Sequence, residues 1–297
     1  MSALASMPAP AATLRTADSR TSAGARDLDA LIRFVASNRF MPAPPDGLHN
    51  VGDGDWRAIG AEFLGHFVRL GGLAPDDRVL EIGCGTGRMA LPLTQYLDPG
   101  RGSYEGVDVV AAGIAWAQRA ITARYPAVRF HHVDAANSLY NPAGAQRVED
   151  VRLPYADASF DFAIMTSLIT HLEPAQVDAY VMEIGRLLRI GGRCFVSLFL
   201  LDDAARAALR AGAGRIAFDP DGAGPAFYAD PERPLAAVAY EQRHLLGCFA
   251  RAGLFLARPI AYGGWSGRSG GFGFQDICVF ARRDLPRDAG LPGGRQP

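Results

Sequence analysis

Two segments near the N-terminus place their hydrophobic residues at helical spacing. The first runs from Arg26 to Asn38, and its apolar face carries Leu28, Leu31, Ile32, Phe34 and Val35. The second follows Gly52-Asp53-Gly54-Asp55, and its apolar face carries Trp56, Ile59, Phe63, Leu64, Phe67 and Val68. Asp55 is predicted to be the N-cap residue of this second helix. We expect residues 26–72 to form a helical lid in front of the main domain.

From Arg78 onward, short hydrophobic runs alternate with amphipathic stretches. The runs that read as strands are Val79–Ile82, Tyr104–Val109, Val128–Val133, Phe160–Thr166 and Cys194–Leu200. The stretches that read as helices are Thr86–Leu97, Ala111–Arg124 and Pro174–Arg189. Strand–helix alternation of this kind predicts an α/β fold with a parallel, doubly wound sheet and helices on both of its faces.

The two ends of the chain and its C-terminal third follow other patterns. Tyr240–Ala252 reads as a helix, and Leu254–Tyr262 and Phe274–Ala281 read as strands joined by a glycine-rich loop. An irregular insertion is expected between Asp202 and Ala239. Residues 1–25 lack a hydrophobic period, which predicts a disordered tail, with an organelle transit segment as the alternative. Residues 284–297 are expected to form a second tail.

Composition narrows the classes of function. The 297 residues carry 30 basic and 31 acidic side chains, so no charge excess favours a nucleic-acid partner. No run approaches the roughly 18 apolar residues that a membrane span needs. Every basic residue is arginine, which excludes lysine chemistry. The 4 cysteines form no CxxC pair, so neither a zinc site nor a disulfide framework is expected, and a cytoplasmic location fits.

A glycine-rich turn follows the first predicted strand, in Val79-Leu80-Glu81-Ile82-Gly83-Cys84-Gly85-Thr86-Gly87. Glycines in such a turn allow positive φ angles and let a ligand approach the backbone closely. A dinucleotide fingerprint places its third glycine where this chain has the large side chain of Arg88. Glu81 would repel a pyrophosphate and suits a cationic group. The turn therefore disfavours a nicotinamide dinucleotide.

Acidic residues also end the next two predicted strands. Asp108 lies about 20 residues beyond the glycine turn, where a carboxylate can accept hydrogen bonds from two ribose hydroxyls. Asp134 follows the strand that ends at Val133. One acid at a strand end is usually a helix cap or a solvated turn residue. Three acids at consecutive strand ends, beside a glycine turn, indicate a ligand site.

With these motifs, the chain resembles the class I S-adenosylmethionine-dependent methyltransferases from about Leu73 to Arg283. The resemblance implies an α/β, Rossmann-like, doubly wound sheet of seven mostly parallel strands, with the last strand antiparallel. It also implies a methyltransferase domain over 73–283, with 201–239 as an insertion on the substrate side. Pro154–Asp161 and Leu188–Arg193 resemble the segments that lead into the family's fourth and fifth strands.

The same resemblance implies S-adenosylmethionine as the cofactor and a role for individual residues. The glycine turn would hold the methionine end of the cofactor, and Asp108 would bind the ribose hydroxyls. Asp134 would reach the adenine amino group, with Val109 and Ala135 beside the adenine. The implied cofactor-binding residues are Glu81, Gly83, Cys84, Gly85, Gly87, Asp108, Val109, Asp134 and Ala135.

The main candidate for a general base is His171, which closely follows the fourth predicted strand. Its ordinary pKa suits proton removal near neutral pH. A structural role, as a helix cap or a backbone contact in the cofactor pocket, is the alternative. Asp202 and Asp203 follow the fifth strand and are further catalytic candidates, although an N-cap for a helix over 204–211 explains them better. No metal site is expected.

Aromatic residues outside the sheet are candidates for an acceptor pocket, with core packing as the alternative. These residues are Phe40, Trp56, Tyr228, Tyr262 and Trp265. The front helices resemble those of bacterial small-molecule methyltransferases, so we expect methyl transfer to a hydroxyl oxygen of a sugar or natural product. Methylation of nitrogen, carbon, a carboxylate or a protein stays open, as do a catalytically inactive relative and a homodimer. Neither nucleic acid nor a membrane is expected as a partner.

Overall fold

The computed structural model describes residues 22–48 and 54–284. The predicted tails therefore lie almost wholly outside the described residues, and so do Gly52 and Asp53. The helices in chain order are α1 (Ser22–Ser37), α2 (Trp56–His66), α3 (Ala90–Tyr96), α4 (Ala111–Ala117), α5 (Pro174–Leu187), α6 (Asp203–Arg210) and α7 (Gln242–Arg251). Helices α2 and α4 continue as single π turns over 67–71 and 118–122.

The two front helices form largely where their hydrophobic spacing predicts them. Helix α1 begins at Ser22, a few residues before the hydrophobic pattern starts. Asp55 is the N-cap of α2 as expected, since its carboxylate accepts the N–H groups of Arg57 and Ala58, both at 2.9 Å. Such a cap satisfies amide groups that have no partner within the first helical turn.

A seven-stranded sheet forms the centre of the fold. The strands in chain order are β1 (Arg78–Ile82), β2 (Ser103–Asp108), β3 (Val128–His132), β4 (Phe160–Thr166), β5 (Leu188–Leu198), β6 (Leu200–Leu201), β7 (Ala226–Tyr228), β8 (Val238–Glu241), β9 (Leu254–Leu256) and β10 (Asp276–Arg282). The large sheet has the order β3-β2-β1-β4-β5-β10-β9. Strand β10 runs antiparallel to both of its neighbours, and the other pairs are parallel. The predicted topology is confirmed.

Helices cover both faces of this sheet. The neighbouring strand residues Val79 and Leu80 lie in different hydrophobic clusters, because successive side chains of a strand point to opposite faces. The cluster around Leu80 includes residues of α5 and α7, and the cluster around Val79 includes residues of α1 to α4. This doubly wound arrangement leaves the carboxyl ends of the parallel strands as the edge where ligands bind.

The prediction of an irregular insertion between Asp202 and Ala239 is wrong in part. The segment contains α6 and two strands, and β6, β8 and β7 form a second, three-stranded sheet in that order. Strand β8 also takes Tyr240, so α7 begins at Gln242. These strands are only 2 to 4 residues long, too short for a periodic pattern to reveal them.

One buried carboxylate joins the small sheet to the large one. Asp276, the first residue of β10, accepts hydrogen bonds from the N–H of Leu200 at 2.7 Å, the N–H of Gly263 at 2.7 Å and Nε1 of Trp265 at 2.8 Å. Burial raises the pKa of Asp276 to about 6. These contacts anchor the glycine-rich loop that precedes β10.

Among the described residues, no helix has the length and apolarity needed to span a membrane.

Candidate active site

A cavity opens at the carboxyl ends of β1, β2 and β4, and the glycine turn forms part of its wall. Gly85 and Gly87 have φ angles of 52° and 79°, in the left-handed region that favours glycine. A Cβ atom at Gly87 would lie 2.9 Å from both Ile121 and Phe130, so this glycine lets helix and strand pack closely. A Cβ atom at Gly85 would meet no atom within 4 Å. The turn thus leaves space at Gly85, on the cavity wall.

Glu81 lies on the wall of this cavity and is almost completely buried. Its carboxyl accepts hydrogen bonds from the hydroxyl of Tyr104 and, at 3.4 Å, from Oγ1 of Thr166. Burial raises the pKa of Glu81 to about 8. A cationic group brought into the cavity would favour the ionised carboxylate and lower this pKa again.

Asp108 joins the glycine turn to the end of β2. Its Oδ2 atom accepts the N–H of Gly85 at 2.7 Å, and its Oδ1 atom accepts the N–H of Val110 at 2.8 Å. Burial raises the pKa of Asp108 despite these contacts. Asp108 and Val109 both line the cavity. The carboxylate is therefore held in a fixed orientation, and each of its oxygens keeps a further lone pair for a ligand hydroxyl.

The third acid of the predicted set has a different position. Asp134 accepts a hydrogen bond from Nδ2 of Asn141 at 3.0 Å, and it does not line the cavity. Ala135 is completely buried behind it. Their place on the wall is taken by Val133 and by two residues the sequence did not single out, Asn137 and Tyr140. Oδ1 of Asn137 accepts the N–H groups of Leu139 and Tyr140, both at 3.0 Å, which shapes this loop.

His171 lies in a 3-10 turn after β4 and contacts the insertion. Its Nδ1 atom is 2.9 Å from the carbonyl oxygen of Leu235, and the ring of Tyr140 meets it edge-on at 5.5 Å. Because a carbonyl oxygen can only accept, Nδ1 carries the proton, and Nε2 of the neutral ring carries the lone pair. Burial lowers the pKa of His171, which favours this neutral form.

A second cavity adjoins the first, and His171 lines both of them. The residues shared by the two walls are Arg88, Met89, Tyr140, Thr166, Ser167 and His171. Residues of α2, the insertion and the glycine-rich loop line much of the rest of the second cavity, together with residues of β5 and β10. The two cavities therefore meet where β4 ends.

The aromatic residues of the second cavity are not those predicted. Its rings are Phe63, Tyr140, Phe199, Phe272 and Phe274. None of the five predicted aromatics lies on either wall, which corrects that expectation. Trp265 is completely buried, and Trp56 packs on Trp116 and donates from Nε1 to Oγ1 of Thr86 at 3.2 Å. The expected regions of the chain do supply the pocket, but through neighbouring residues.

Asp202 and Asp203 are placed away from both cavities, which argues against the catalytic role predicted for them. Asp202 caps α6 by accepting the N–H of Ala205 at 2.8 Å, and it forms an ion pair with Arg268. Asp203 is exposed in the first turn of α6. The structure therefore gives Asp202 the alternative role of helix N-cap, and Asp203 is the first residue of the helix.

Residues 79–192 match a family model described as a methyltransferase domain, and this range contains the glycine turn, Asp108 and His171. The chain carries a methyltransferase domain. The match to the model ends before the insertion and the last two strands of the large sheet. These parts of the methyltransferase fold are thus seen only in the structure.

Curated relatives match shorter parts of the chain. An O-methyltransferase from Pyrenophora dematioidea is 29% identical over 136 residues, which cover 44% of this chain and 42% of that protein. Phthiotriol/phenolphthiotriol dimycocerosates methyltransferase 1 from Mycobacterium ulcerans is 35% identical over 115 residues, which cover 39% and 35%. The matched part spans less than half the length of these curated relatives.

A solved structure supports the fold over a larger part of the chain. The PH0226 protein from Pyrococcus horikoshii OT3 superimposes with a TM-score of 0.53 at 14% identity. The similarity covers 80% of this chain and 95% of that one. At this level of identity the likeness shows that the two chains share a fold.

Proposed function

We propose that this protein transfers the methyl group of S-adenosylmethionine to a hydroxyl oxygen of a small molecule, a sugar or natural product. The observation that carries the proposal is the junction of the two cavities at His171. The first cavity has the acids and the glycine turn that suit the cofactor, and the second is large and differently lined. A group at their junction can reach both reactants.

The residues of the first cavity fit the cofactor group by group. The buried Glu81 is matched to the positive charge of the methionine end. Asp108, fixed by two backbone amides, has the orientation needed to accept hydrogen bonds from two neighbouring hydroxyls. The apolar side chains of Val107, Val109 and Val133 offer a surface for a flat base. The space at Gly85 allows a ligand to approach the backbone.

S-adenosylmethionine supplies a methyl group bonded to a positively charged sulfur. Transfer requires that the acceptor oxygen, the methyl carbon and the sulfur lie in line, and positioning of this kind supplies roughly 7–11 kcal/mol of the barrier reduction. We propose that Nε2 of His171 takes the hydroxyl proton as the oxygen–carbon bond forms and the carbon–sulfur bond breaks. Since burial keeps His171 neutral, its lone pair is present at working pH.

Calorimetry of the purified protein with S-adenosylmethionine and with S-adenosylhomocysteine tests the cofactor half of the proposal. We expect dissociation constants in the low-micromolar range or tighter, which corresponds to about −8 kcal/mol. No heat of binding for either compound from a folded sample would contradict it.

Mass spectrometry tests the acceptor half. Extracts of cells with and without the protein are compared for pairs of compounds that differ by one CH₂ group. A pair that depends on the protein supports the proposal, and fragmentation then locates the methyl group on oxygen, nitrogen or carbon.

We further propose that residues 73–283 form the catalytic domain and that the protein acts in the cytoplasm.

A further inference from the structure

The second cavity has an aromatic and partly exposed lining. Of the eight large hydrophobic residues that are exposed in the described ranges, three lie on this wall: Leu139 at 40%, Phe272 at 41% and Phe274 at 45%. Exposed hydrophobic side chains gathered at one cavity mark a binding surface for an apolar molecule. The remaining exposed large hydrophobics lie on neither cavity wall.

Besides the contact of Tyr140 with His171, the rings of the lining form two contacting groups. In the first, His66 packs against Phe63 and Phe272, with ring centroids 5.5 Å and 5.1 Å apart. In the second, Phe199 and Phe274 meet edge-on at 6.0 Å. Both groups offer ring surfaces of the kind that pack against another flat aromatic ring in stacked or edge-on geometry.

The polar groups at the floor of the cavity are already engaged with each other. Oγ of Ser197 donates to Oε1 of Gln275 at 2.7 Å, and Nε2 of Gln275 donates to Oγ of Ser167 at 2.8 Å. Oγ1 of Thr170 donates to the carbonyl oxygen of Ser167 at 2.8 Å and lies 3.2 Å from Oγ of Ser167. The hydroxyl protons of the two serines and the threonine are therefore used within this cluster.

His66 and Arg233 of the lining have acidic partners as well. Nε2 of His66 is 3.4 Å from Oε1 of Glu62, and Arg233 forms an ion pair with Asp230. A molecule with many hydroxyls would compete with these contacts for hydrogen-bonding groups of the cavity. A molecule with one reacting hydroxyl needs a single acceptor, and Nε2 of His171 supplies it.

Resting on the proposed function, we infer that the methyl acceptor is a hydroxylated aromatic compound rather than a sugar. Its flat ring system packs against the two groups of aromatic side chains, and its hydroxyl faces Nε2 of His171. Phe272 and Phe274 set this preference, because they present the exposed apolar surface at the mouth of the cavity.

Binding of 2-naphthol to the protein loaded with S-adenosylhomocysteine tests this inference, with methyl β-D-glucoside as the matched polyhydroxylated probe. Variants Phe272→Ala and Phe274→Ala remove rings from exposed positions, so folding is expected to be kept. Phe34→Ala is the control, since Phe34 is also exposed but lies on α1, away from both cavities. We expect 2-naphthol to bind, each cavity variant to weaken it by about three- to tenfold, and the control to leave it unchanged.

The dissociation constant of S-adenosylhomocysteine is measured on each protein first, and we expect no change in it. If the unmodified protein does not bind S-adenosylhomocysteine, the proposed function is overturned. Retained cofactor binding without 2-naphthol binding, or preferential binding of methyl β-D-glucoside, overturns the aromatic acceptor alone. An equal effect of Phe34→Ala and Phe272→Ala also overturns it, since the binding would then not depend on the cavity.

Discussion

Nδ1 of His171 donates a hydrogen bond to the carbonyl oxygen of Leu235, which lies 64 positions further along the chain. The first residue follows the central strand β4, and the second belongs to a 3-10 turn of the insertion. This contact fixes the ring tautomer and directs the lone pair of Nε2 away from Leu235. The insertion therefore orients the proposed base as well as lining the second cavity.

Replacing His171 tests its role as a base. We expect His171→Ala to lower kcat by about 10²–10⁴ while the cofactor dissociation constant stays nearly the same, because proton removal matters only as the oxygen attacks. Stopped assays with a labelled methyl donor measure kcat, and calorimetry measures cofactor binding. If His171 instead has only a structural role in the pocket, kcat and cofactor affinity should fall together. His244→Ala, on α7 and away from both cavities, is the control.

The pH dependence of kcat gives a second readout of the same residue. Since the base must be neutral, the rate should fall as the pH drops through the pKa of His171. Burial lowers this pKa, so the acidic limb should lie below the ordinary value of 6.5. The limb should vanish in His171→Ala. If it persists there, another group moves the proton.

The raised pKa of Glu81 leads us to expect that cofactor binding releases a proton. The unliganded carboxyl has a pKa of about 8, and the positive charge of S-adenosylmethionine favours its ionised form. Affinity should therefore rise with pH up to about 8, and calorimetry in buffers of different ionisation enthalpy should detect the released proton. Glu81→Gln should bind more weakly and without proton release. The same buffer dependence in this variant would assign the proton to another group.

The same carboxyl affects the stability of the unliganded protein. The folded state keeps the proton of Glu81 up to about pH 8, whereas the unfolded chain loses it near the ordinary value of 4.5. Between these values unfolding releases a proton, so this group makes the free energy of unfolding fall as the pH rises. Denaturation in urea across this range should show a flatter profile for Glu81→Gln than for the unmodified protein.

Asp108 and Asp134 should differ in their effect on the cofactor. We expect Asp108→Ala to weaken cofactor binding by about 1.5–3 kcal/mol, because two charge-assisted hydrogen bonds are lost and the glycine turn loses its tie to β2. Asp134→Ala should cost less, since Asp134 contacts Asn141 and does not line the cavity. Calorimetry on both variants checks the order. Equal losses would show that Asp134 contacts the ligand directly.

Gly85 tests whether the space at the turn belongs to the ligand. Gly85→Ala should raise the cofactor dissociation constant at least about tenfold, while left-handed backbone strain costs about 1–2 kcal/mol of stability. Gly212→Ala is a matched control, because Gly212 has a φ of 72°, an added Cβ would also meet open space, and it lines neither cavity. We expect both variants to lose similar amounts of stability, but only Gly85→Ala to bind the cofactor much more weakly. Unchanged affinity in Gly85→Ala would place the ligand elsewhere.

Asp276 is expected to be important for stability. Asp276→Ala leaves three buried N–H donors without their acceptor, and we expect a loss on the order of 3 kcal/mol. Asp203→Ala removes an exposed acid and should cost less than about 1 kcal/mol. Thermal unfolding of both variants measures the difference. A small loss in Asp276→Ala would mean that water or another side chain replaces the carboxylate.

The cofactor half of the site is predictable because its signals are local. Glu81, the glycine turn and Asp108 stand directly at strand ends, and strand position alone brings them to one edge of the sheet. The second cavity, where we propose that the acceptor binds, depends on contacts between distant segments, such as Phe272 with His66 and Gln275 with Ser167. Ser167 has a φ of 54°. This left-handed conformation usually belongs to glycine, so a serine at this position does not predict it.

The loop between Tyr262 and Phe274 is closed at its base by a ladder of its own. The N–H of Phe272 donates to the carbonyl oxygen of Tyr262 at 2.7 Å, and the N–H of Trp265 donates to that of Phe274 at 3.1 Å. Asp276 fastens the start of this loop beneath the ladder. The loop also carries Trp265, which is completely buried, so its backbone is attached to the core while Phe272 and Phe274 stay exposed. Replacing only these two exposed rings therefore alters the apolar surface of the second cavity, while the backbone that carries them keeps its attachment to the core.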